Sequence, residues 1–200
     1  MDRDLFMFYK VALEGKLTTP LCAEYKSAWR KCGDDKEMLV RLVMKEQSLP
    51  YFFAHCYQNK GLSKEYILNQ FGNYINGKYV GIDVDDVVGN YKTELYVGYN
   101  GDLNVSDDIL ATMWSTIPSM EIPTCKAVKI YCACGSEIHL SCEGYNSVIV
   151  MLFDDSKIIL DDVDEESRIT IYRYGNDAIV KEGKYCLSKN IKIFDKELRL

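Results

Sequence analysis

Short stretches of alternating apolar residues recur about every ten residues between positions 126 and 194. They are Val128-x-Ile130, Ile138-x-Leu140, Val148-x-Val150, Ile158-x-Leu160, Ile169-x-Ile171, Ala178-x-Val180 and Ile191-x-Ile193. Alternation with a period of two is typical of β-strands that bury one face. This regular series of short strands constrains the fold more than any other feature of the chain.

The similarity is closer at a spacing of twenty residues than at ten, because Gly135-Ser136-Glu137-Ile138 aligns with Asp155-Ser156-Lys157-Ile158. A period of 20 to 22 predicts a β-solenoid whose coil contains two short strands and two turns. Inward side chains of neighbouring coils should then stack, with Val128 over Val148 and Ile138 over Ile158. An antiparallel sheet also spaces strands by 8 to 12 residues and stays the alternative.

The first part of the chain predicts helices. Apolar stripes recur at helical spacing, and the helix-start signals include Asp34 or Asp35 and Ser63. Residues 1–78 are therefore interpreted as a helical region that starts with a stripe from Leu5 to Ala12 and includes a helix from Pro50 to Gly61.

Residues 79–125 predict a small sheet and a linker. Asn100-Gly101 is a typical hairpin dipeptide between two β-rich stretches. Asp107 or Asp108 is expected to cap a short helix that ends near Trp114, and Pro118 and Pro123 bracket the linker. With the repeat region at 126–200, the predicted fold class is α+β: a helical N-terminal region followed by a solenoid-like sheet.

The repeat strands V-K-I-Y-C-A-C-G-S-E-I-H-L and V-I-V-M-L-F-D-D-S-K-I-I-L resemble the short β-solenoid tails of uncharacterised proteins from gut Bacteroidales phages and mobile elements. The stretch 65–79 is similar to the junction between helices and sheet in such proteins. The resemblance covers about residues 60–194. It implies an accessory protein of a phage or mobile element, and it carries no known activity or site residues.

Charge is distributed in blocks behind a net charge of −6. Residues 101–167 contain three Lys/Arg and thirteen Asp/Glu, whereas residues 168–200 contain eight and four. The acidic block argues against nucleic acid as a partner for that surface. The chain has no apolar run near the roughly 20 residues that span a bilayer and no evident leader, so a cytoplasmic protein without a membrane partner is expected.

Four of the eight cysteines form the densest group of metal-ligand residues, with His139 among them. They are Cys125, Cys132, Cys134 and Cys142. The group lacks the C-x2-C turn of common zinc sites, and Cys132 and Cys134 continue the inward parity of Val128 and Ile130. Core packing is therefore favoured over a zinc site, and no cofactor is expected.

Catalytic residues are not evident in the sequence. The two histidines are His55 and His139, and a pair of Cys56 or Cys32 with His139 would be the simplest nucleophile and base. No motif supports such a pair, so no catalytic residue is assigned and a protein without enzymatic activity is favoured.

Acidic residues gather at the predicted turns of the repeat and are the candidate binding residues. They are Asp154, Asp155, Asp161, Asp162, Asp164, Glu165 and Glu166. They fit solvated turns, a site for Ca²⁺ or a stripe that imitates a phosphate backbone.

The favoured function is a non-enzymatic protein-binding or structural accessory protein, because stacked coils present rigid faces that suit protein contacts. One alternative is an acidic nucleic-acid mimic that inhibits a host DNA-binding protein. Another is a hydrolase or transferase with its site where the helices meet the sheet. The protein partner is unknown, and self-association of the chain is kept open.

Overall fold

The structure, a computed structural model, describes residues 23–44, 49, 53, 63–77, 81–83, 91–105 and 109–197. The helices are α1 (Ala23–Cys32), α2 (Lys36–Met44) and α3 (Lys64–Phe71). The strands in these ranges are β1 (Gly81–Asp83), β2 (Tyr91–Val97), β3 (Leu103–Asn104), β4 (Ile109–Met113), β5 (Thr116–Ile122), β6 (Ala127–Ala133), β7 (Glu137–Cys142), β8 (Ser147–Phe153), β9 (Lys157–Val163), β10 (Arg168–Tyr174), β11 (Ile179–Cys186) and β12 (Asn190–Lys196).

Side-chain caps start two of the helices. The Met38 N–H donates to Asp35 Oδ1 (3.0 Å), and the Tyr66 N–H donates to Ser63 Oγ (3.1 Å). Each bond satisfies a backbone donor that has no partner inside the helix. The predicted starts at Asp35 and Ser63 are thus confirmed. The helix expected before residue 15, and the one expected after Pro50 except for the helical Phe53, lie outside the described residues.

The strands form two sheets that alternate along the chain. Sheet A has the order β1-β2-β4-β6-β8-β10-β12, and sheet B has the order β11-β9-β7-β5-β3. Every pair is parallel except β1 with β2. Each coil places one strand in each sheet, which gives five coils from β2 to β11 and an additional strand, β12. The predicted parallel solenoid is confirmed, and the antiparallel alternative for residues 126–194 is wrong.

Equivalent residues stack from coil to coil as the repeat predicts. Val128 pairs with Val148, and Ile138 pairs with Ile158. These four side chains are at most 2% exposed. The spacing between paired residues grows to 21 and then 22 residues towards the C-terminus, where Val148 aligns with Ile169 and Ile169 with Ile191.

The solenoid begins earlier than the repeat suggests. Residues 109–113, expected in a helix, form strand β4, and Pro118, expected in a linker, lies within β5. Asn100-Gly101 does not close a hairpin, because β2 and β3 belong to different sheets. All five β4 residues are buried, including Thr112, so burial does not alternate along this strand, and a short, mainly apolar run of this kind fits a helix as well as a strand.

Two hydrophobic cores lie on the two sides of sheet A. One fills the space between the sheets and includes Ile130, Leu140 and Val150. The other lies between the outer face of sheet A and the helices, where Phe53 contacts Tyr131 and Phe153 at ring-centroid distances of 6.1 and 5.4 Å. Sheet A is consequently buried on both faces along its first coils, as parallel sheets commonly are.

Candidate functional site

The turns from sheet A to sheet B lie on one edge of the solenoid and are called corner 1 (residues 98–102, 114–115, 134–136, 154–156 and 175–178). At this edge the residue after each sheet A strand from β2 to β10 has a positive φ. These residues are Gly98, Trp114, Cys134, Asp154 and Gly175. Residues other than Gly, Asn and Asp rarely adopt this conformation. The turn at corner 1 thus repeats an uncommon left-handed backbone position in all five coils.

Asp154 fastens one coil to its neighbour at corner 1. Its side chain is 1% exposed, and both carboxylate oxygens accept the N–H of Cys134, at 3.0 and 2.9 Å. Ser156 Oγ donates to the same carboxylate (3.1 Å). Burial raises the pKa of Asp154, and the bonds from Cys134 and Ser156 only partly oppose that shift. Asp154, one of the candidate binding residues, therefore has a structural role, because it holds two neighbouring coils together.

Corner 2 (residues 105, 123–126, 143–146, 164–167 and 187–189) is the opposite edge, where the chain returns from sheet B to sheet A. There a carboxylate oxygen of Asp164 accepts the N–H of Gly144 in the preceding coil. Glu165 and Glu166 are exposed beside it, whereas Asp155 is exposed at corner 1. Because the seven-residue β9 separates the two corners by roughly 20 Å, the seven candidate acidic residues do not form one site.

His139 sits in a row of charges on the outer face of sheet B, with its side chain 31% exposed. Its Nδ1 lies 2.8 Å from Asp161 Oδ2, and its Nε2 lies 3.2 Å from Glu137 Oε1. Lys157 Nζ donates to the same Glu137 oxygen at 2.8 Å, and this bond is the main reason that the pKa of Glu137 is lowered. Both ring nitrogens of His139 therefore face carboxylates instead of a thiol.

The cysteines considered for zinc lie in three different environments. Cys132 and Cys142 point into the space between the sheets, and burial raises the pKa of each thiol to about 12. Cys125 is exposed at corner 2. In the described ranges no group of three or more His, Cys, Asp or Glu side chains is arranged to hold a metal ion.

Cys134 departs from the predicted parity. Strand β6 ends at Ala133, so Cys134 takes the left-handed position of corner 1, with φ of 56°. Its side chain packs with the core under the helices instead of the core between the sheets.

The junction between helices and sheet, where an enzymatic site was considered, is filled by apolar side chains. Phe53 and Tyr131 are fully buried there, and Phe153 is 2% exposed. A cavity of about 330 Å³ lies at corner 2 and is lined by Asn104, Val105, Glu121, Ile122, Pro123, Lys126 and Glu143. His139 and the cysteines do not line it.

The C-terminal end of the solenoid exposes the apolar side chains that earlier coils bury. Ile193 is 44% exposed, whereas its counterparts Val150 and Ile171 are fully buried. No sheet B strand in the described residues lies opposite β12, so the inner face of β12 is uncovered.

The end also differs in charge from the rest of the solenoid. Five lysines and three carboxylates lie between residues 179 and 197. One of these carboxylates, Asp195, already accepts a hydrogen bond from Arg173 Nε (2.7 Å) and contacts its Nη2 (2.6 Å). The described end therefore combines uncovered apolar groups with an excess of positive charge.

The chain matches no protein-family model, and no curated protein or solved structure matches it. No helix within the described ranges is long and apolar enough to cross a membrane.

Proposed function

We propose that the protein is a non-enzymatic binding protein that contacts another protein through the C-terminal end of its solenoid. The observation that carries this proposal is the distribution of exposed apolar side chains. Five of the seven large ones in the described residues belong to the last coil and β12: Ile179, Tyr185, Leu187, Ile193 and Phe194, each 43% to 60% exposed. Concentrated exposed apolar groups mark contact sites more often than scattered ones do.

The remaining surface supports this proposal. His139, Glu137, Asp161 and Lys157 hydrogen-bond to one another on the outer face of sheet B. Asp154 and Asp164 hold neighbouring coils together. These polar groups stabilise the stack of coils, and the stack is a rigid support for its end. The role as an accessory protein of a phage or mobile element stays a prediction.

Site-specific photocrosslinking tests the proposal. A benzophenone amino acid replaces Phe194, or replaces Tyr145, which is 51% exposed at corner 2 and serves as the matched control. In cells that naturally make the protein, we expect a discrete adduct of higher mass from position 194 and none from position 145. Equal adducts from both positions, or no adduct from position 194, would contradict the proposal.

One observation favours the acidic nucleic-acid mimic as a second candidate. Exposed carboxylates occur at or beside corner 2 in three successive coils, on Glu121, Glu143 and Glu165. Coils are about 4.8 Å apart, so these groups follow one another along the solenoid. A mimic should displace duplex DNA from a DNA-binding protein, and neutralising these three glutamates to glutamine should abolish that displacement. Displacement that survives the substitutions would exclude this edge as the cause.

A further inference from the structure

We propose that strand β12 binds an extended strand of a partner protein, and that this strand alternates apolar and acidic residues. The inference rests on the proposed function and specifies the chemistry of its partner. It would extend sheet A by one parallel or antiparallel strand, through the backbone groups of β12 that face away from β10. Three properties of β12 support it: an unbroken edge, uncovered apolar groups on one face, and lysines on the other.

The edge of β12 is more regular than the edge of β11, the other strand at this end. All seven residues of β12 pair with β10 without a shift of register. In contrast, the pairing of β11 with β9 shifts between Glu182 and Tyr185. Such irregularities protect an edge from further pairing, whereas a flat and unbroken edge is a template for another strand.

The inner face of β12 calls for apolar residues on the added strand. Ile191 is half-buried against the core between the sheets, and Ile193 is 44% exposed. In the preceding coil the counterparts Ile169 and Ile171 are fully buried, with β12 beside them in sheet A and β11 opposite them in sheet B. Apolar side chains at alternate positions of an added strand would cover the side of Ile193 that faces away from β10.

The outer face of β12 calls for acidic residues. Lys192, Phe194 and Lys196 point outward, and Phe194 stacks on Tyr172 with ring centroids 5.5 Å apart. Lys196 Nζ lies 5.5 Å from the centre of the same tyrosine ring. Opposite charges on directly facing positions of two strands stabilise the pair, and like charges destabilise it.

The same lysines argue against a second copy of this chain as the occupant. Two β12 strands would bring their lysines together on one face, and lysine on an edge strand is a common obstacle to self-pairing. An acidic strand meets no such obstacle. A second copy of β12 and an acidic strand could both cover the apolar side chains of β12. The positive charge of β12 favours the acidic strand.

Peptide binding tests the inference with the whole 200-residue chain. The probe is a fluorescent peptide of four valines and four glutamates in alternation, flanked by Gly-Ser. Two control peptides have lysine in place of glutamate, or the same composition with all valines before all glutamates. We expect the alternating Val-Glu peptide to bind at least tenfold more tightly than either control by fluorescence anisotropy, and its affinity to fall with added salt.

A charge reversal provides the decisive comparison. The double variant Lys192→Glu/Lys196→Glu should prefer the Val-Lys peptide over the Val-Glu peptide. The matched variant Arg30→Glu/Lys31→Glu makes the same change of net charge on exposed positions of α1 and should leave the preference unchanged. Hydrogen exchange of the β12 amides should slow when the Val-Glu peptide binds.

Three results would overturn the inference. They are equal binding of all three peptides, the same loss of affinity in both double variants, and dimerisation of the free chain through β12, detected by light scattering and abolished by Phe194→Ser. If position 194 forms crosslinks in cells but the peptide does not bind, the proposed function stands and strand addition is wrong. If neither occurs, both are wrong.

Discussion

Asp154 has a raised pKa and still holds two coils together, so its contribution to stability depends on pH. The folded state raises this pKa, mainly through burial, above the value of about 3.9 of an unfolded chain. At pH values between the unfolded-state and folded-state pKa, the folded state binds more protons than the unfolded state. The free energy of unfolding therefore falls as pH rises through this range. The favourable contribution is complete below about pH 3.9 and is lost as pH passes through the folded-state pKa.

Replacing Asp154 separates the hydrogen bonds from the charge. The amide side chain of the Asp154→Asn variant would keep an oxygen for the Cys134 N–H, tolerate the positive φ and carry no charge. Between pH 4 and pH 7, we expect the free energy of unfolding of the wild type to fall relative to that of Asp154→Asn. At pH 7 the variant should be at least as stable as the wild type. Asp154→Ala should lose about 2 kcal/mol, because the buried Cys134 N–H loses its acceptor. Urea denaturation across this pH range measures both; an Asn variant as unstable as the Ala variant would contradict the account.

The environments of the cysteines predict a strict order of reactivity. Cys132 and Cys142 are buried, with a pKa of about 12, so almost no thiolate is present at pH 8. Cys125 is exposed. We expect iodoacetamide to label Cys125 in the folded protein and to label Cys132 and Cys142 only after denaturation, as measured by peptide mass spectrometry. Rapid labelling of Cys132 in native conditions would show that the core between the sheets opens readily.

At the scale of elements, the helices determine how much of sheet A is covered. Phe153 and Phe194 both lie on the outer face of sheet A, and both stack on a tyrosine: Phe153 on Tyr174 at 4.8 Å and Phe194 on Tyr172 at 5.5 Å. Phe153 is 2% exposed because Phe53 packs against it, whereas Phe194 is 43% exposed. The two residues are thus a natural pair for measuring the contribution of the helix–sheet contact.

We expect Phe153→Ala to lower the free energy of unfolding by about 3–5 kcal/mol, because it leaves a cavity between the helices and sheet A. Phe194→Ala should cost less than about 1 kcal/mol, since its ring is half in solvent. Chemical denaturation of the two variants measures the difference. Similar losses would mean that the helices do not contribute a separate core.

The sequence correctly predicts the strands that bury one face and expose the other to solvent. Strand β7 alternates strictly, and β9 alternates as far as Leu160, because one face meets the interior and the other meets solvent, and their pairing over these residues follows from the repeat. Strand β4 is buried on both faces because the helices cover its outer face, so its mainly apolar sequence also fits a helix. Pro118 in β5 suggests a linker, but the structure accommodates it where the register with β7 shifts between Ile117 and Met120.

At the scale of the molecule, equal coils should be removable one at a time. Ser147 of β8 aligns with Ala127 of β6 on one side and with Arg168 of β10 on the other, so β10 could take the place of β8 beside β6 in the same register. Deleting residues 137–156 removes one coil and joins Ser136 to Lys157, so that β10 can lie beside β6 and β9 beside β5. Tyr174 would then occupy the place of Phe153 next to the helices.

We expect this deletion variant to remain folded, with a β-sheet circular dichroism signal and a cooperative thermal transition at a lower temperature. The control is a deletion of residues 147–156, which removes a single strand and would force β9 from sheet B into sheet A. Lys157 would then take the place of Ser147, which brings Asp162 onto the fully buried position of Leu152, so this variant should not fold. Equal behaviour of the two deletions would show that the coil is not the unit of this structure.

The candidate site was less accessible to sequence reasoning than the fold. Charge and turn position single out the acidic residues, but they do not reveal that Asp154 is buried and bonded to Cys134, because that contact joins residues twenty positions apart. The sequence also does not reveal that Ile193 is exposed, since Ile191 and Ile193 have the same pattern as buried residues. Only the count of strands in each sheet shows which of them remains uncovered.

The parallel ladders also make the solenoid mechanically anisotropic. Hydrogen bonds between β6, β8, β10 and β12 run from coil to coil, nearly along the solenoid axis. Tension along that axis would load one ladder at a time and separate the coils successively, beginning at β12. Tension along the strands would instead shear many bonds together. A partner that pulls on β12 across the stack would therefore meet much greater resistance than one that pulls it away from β10.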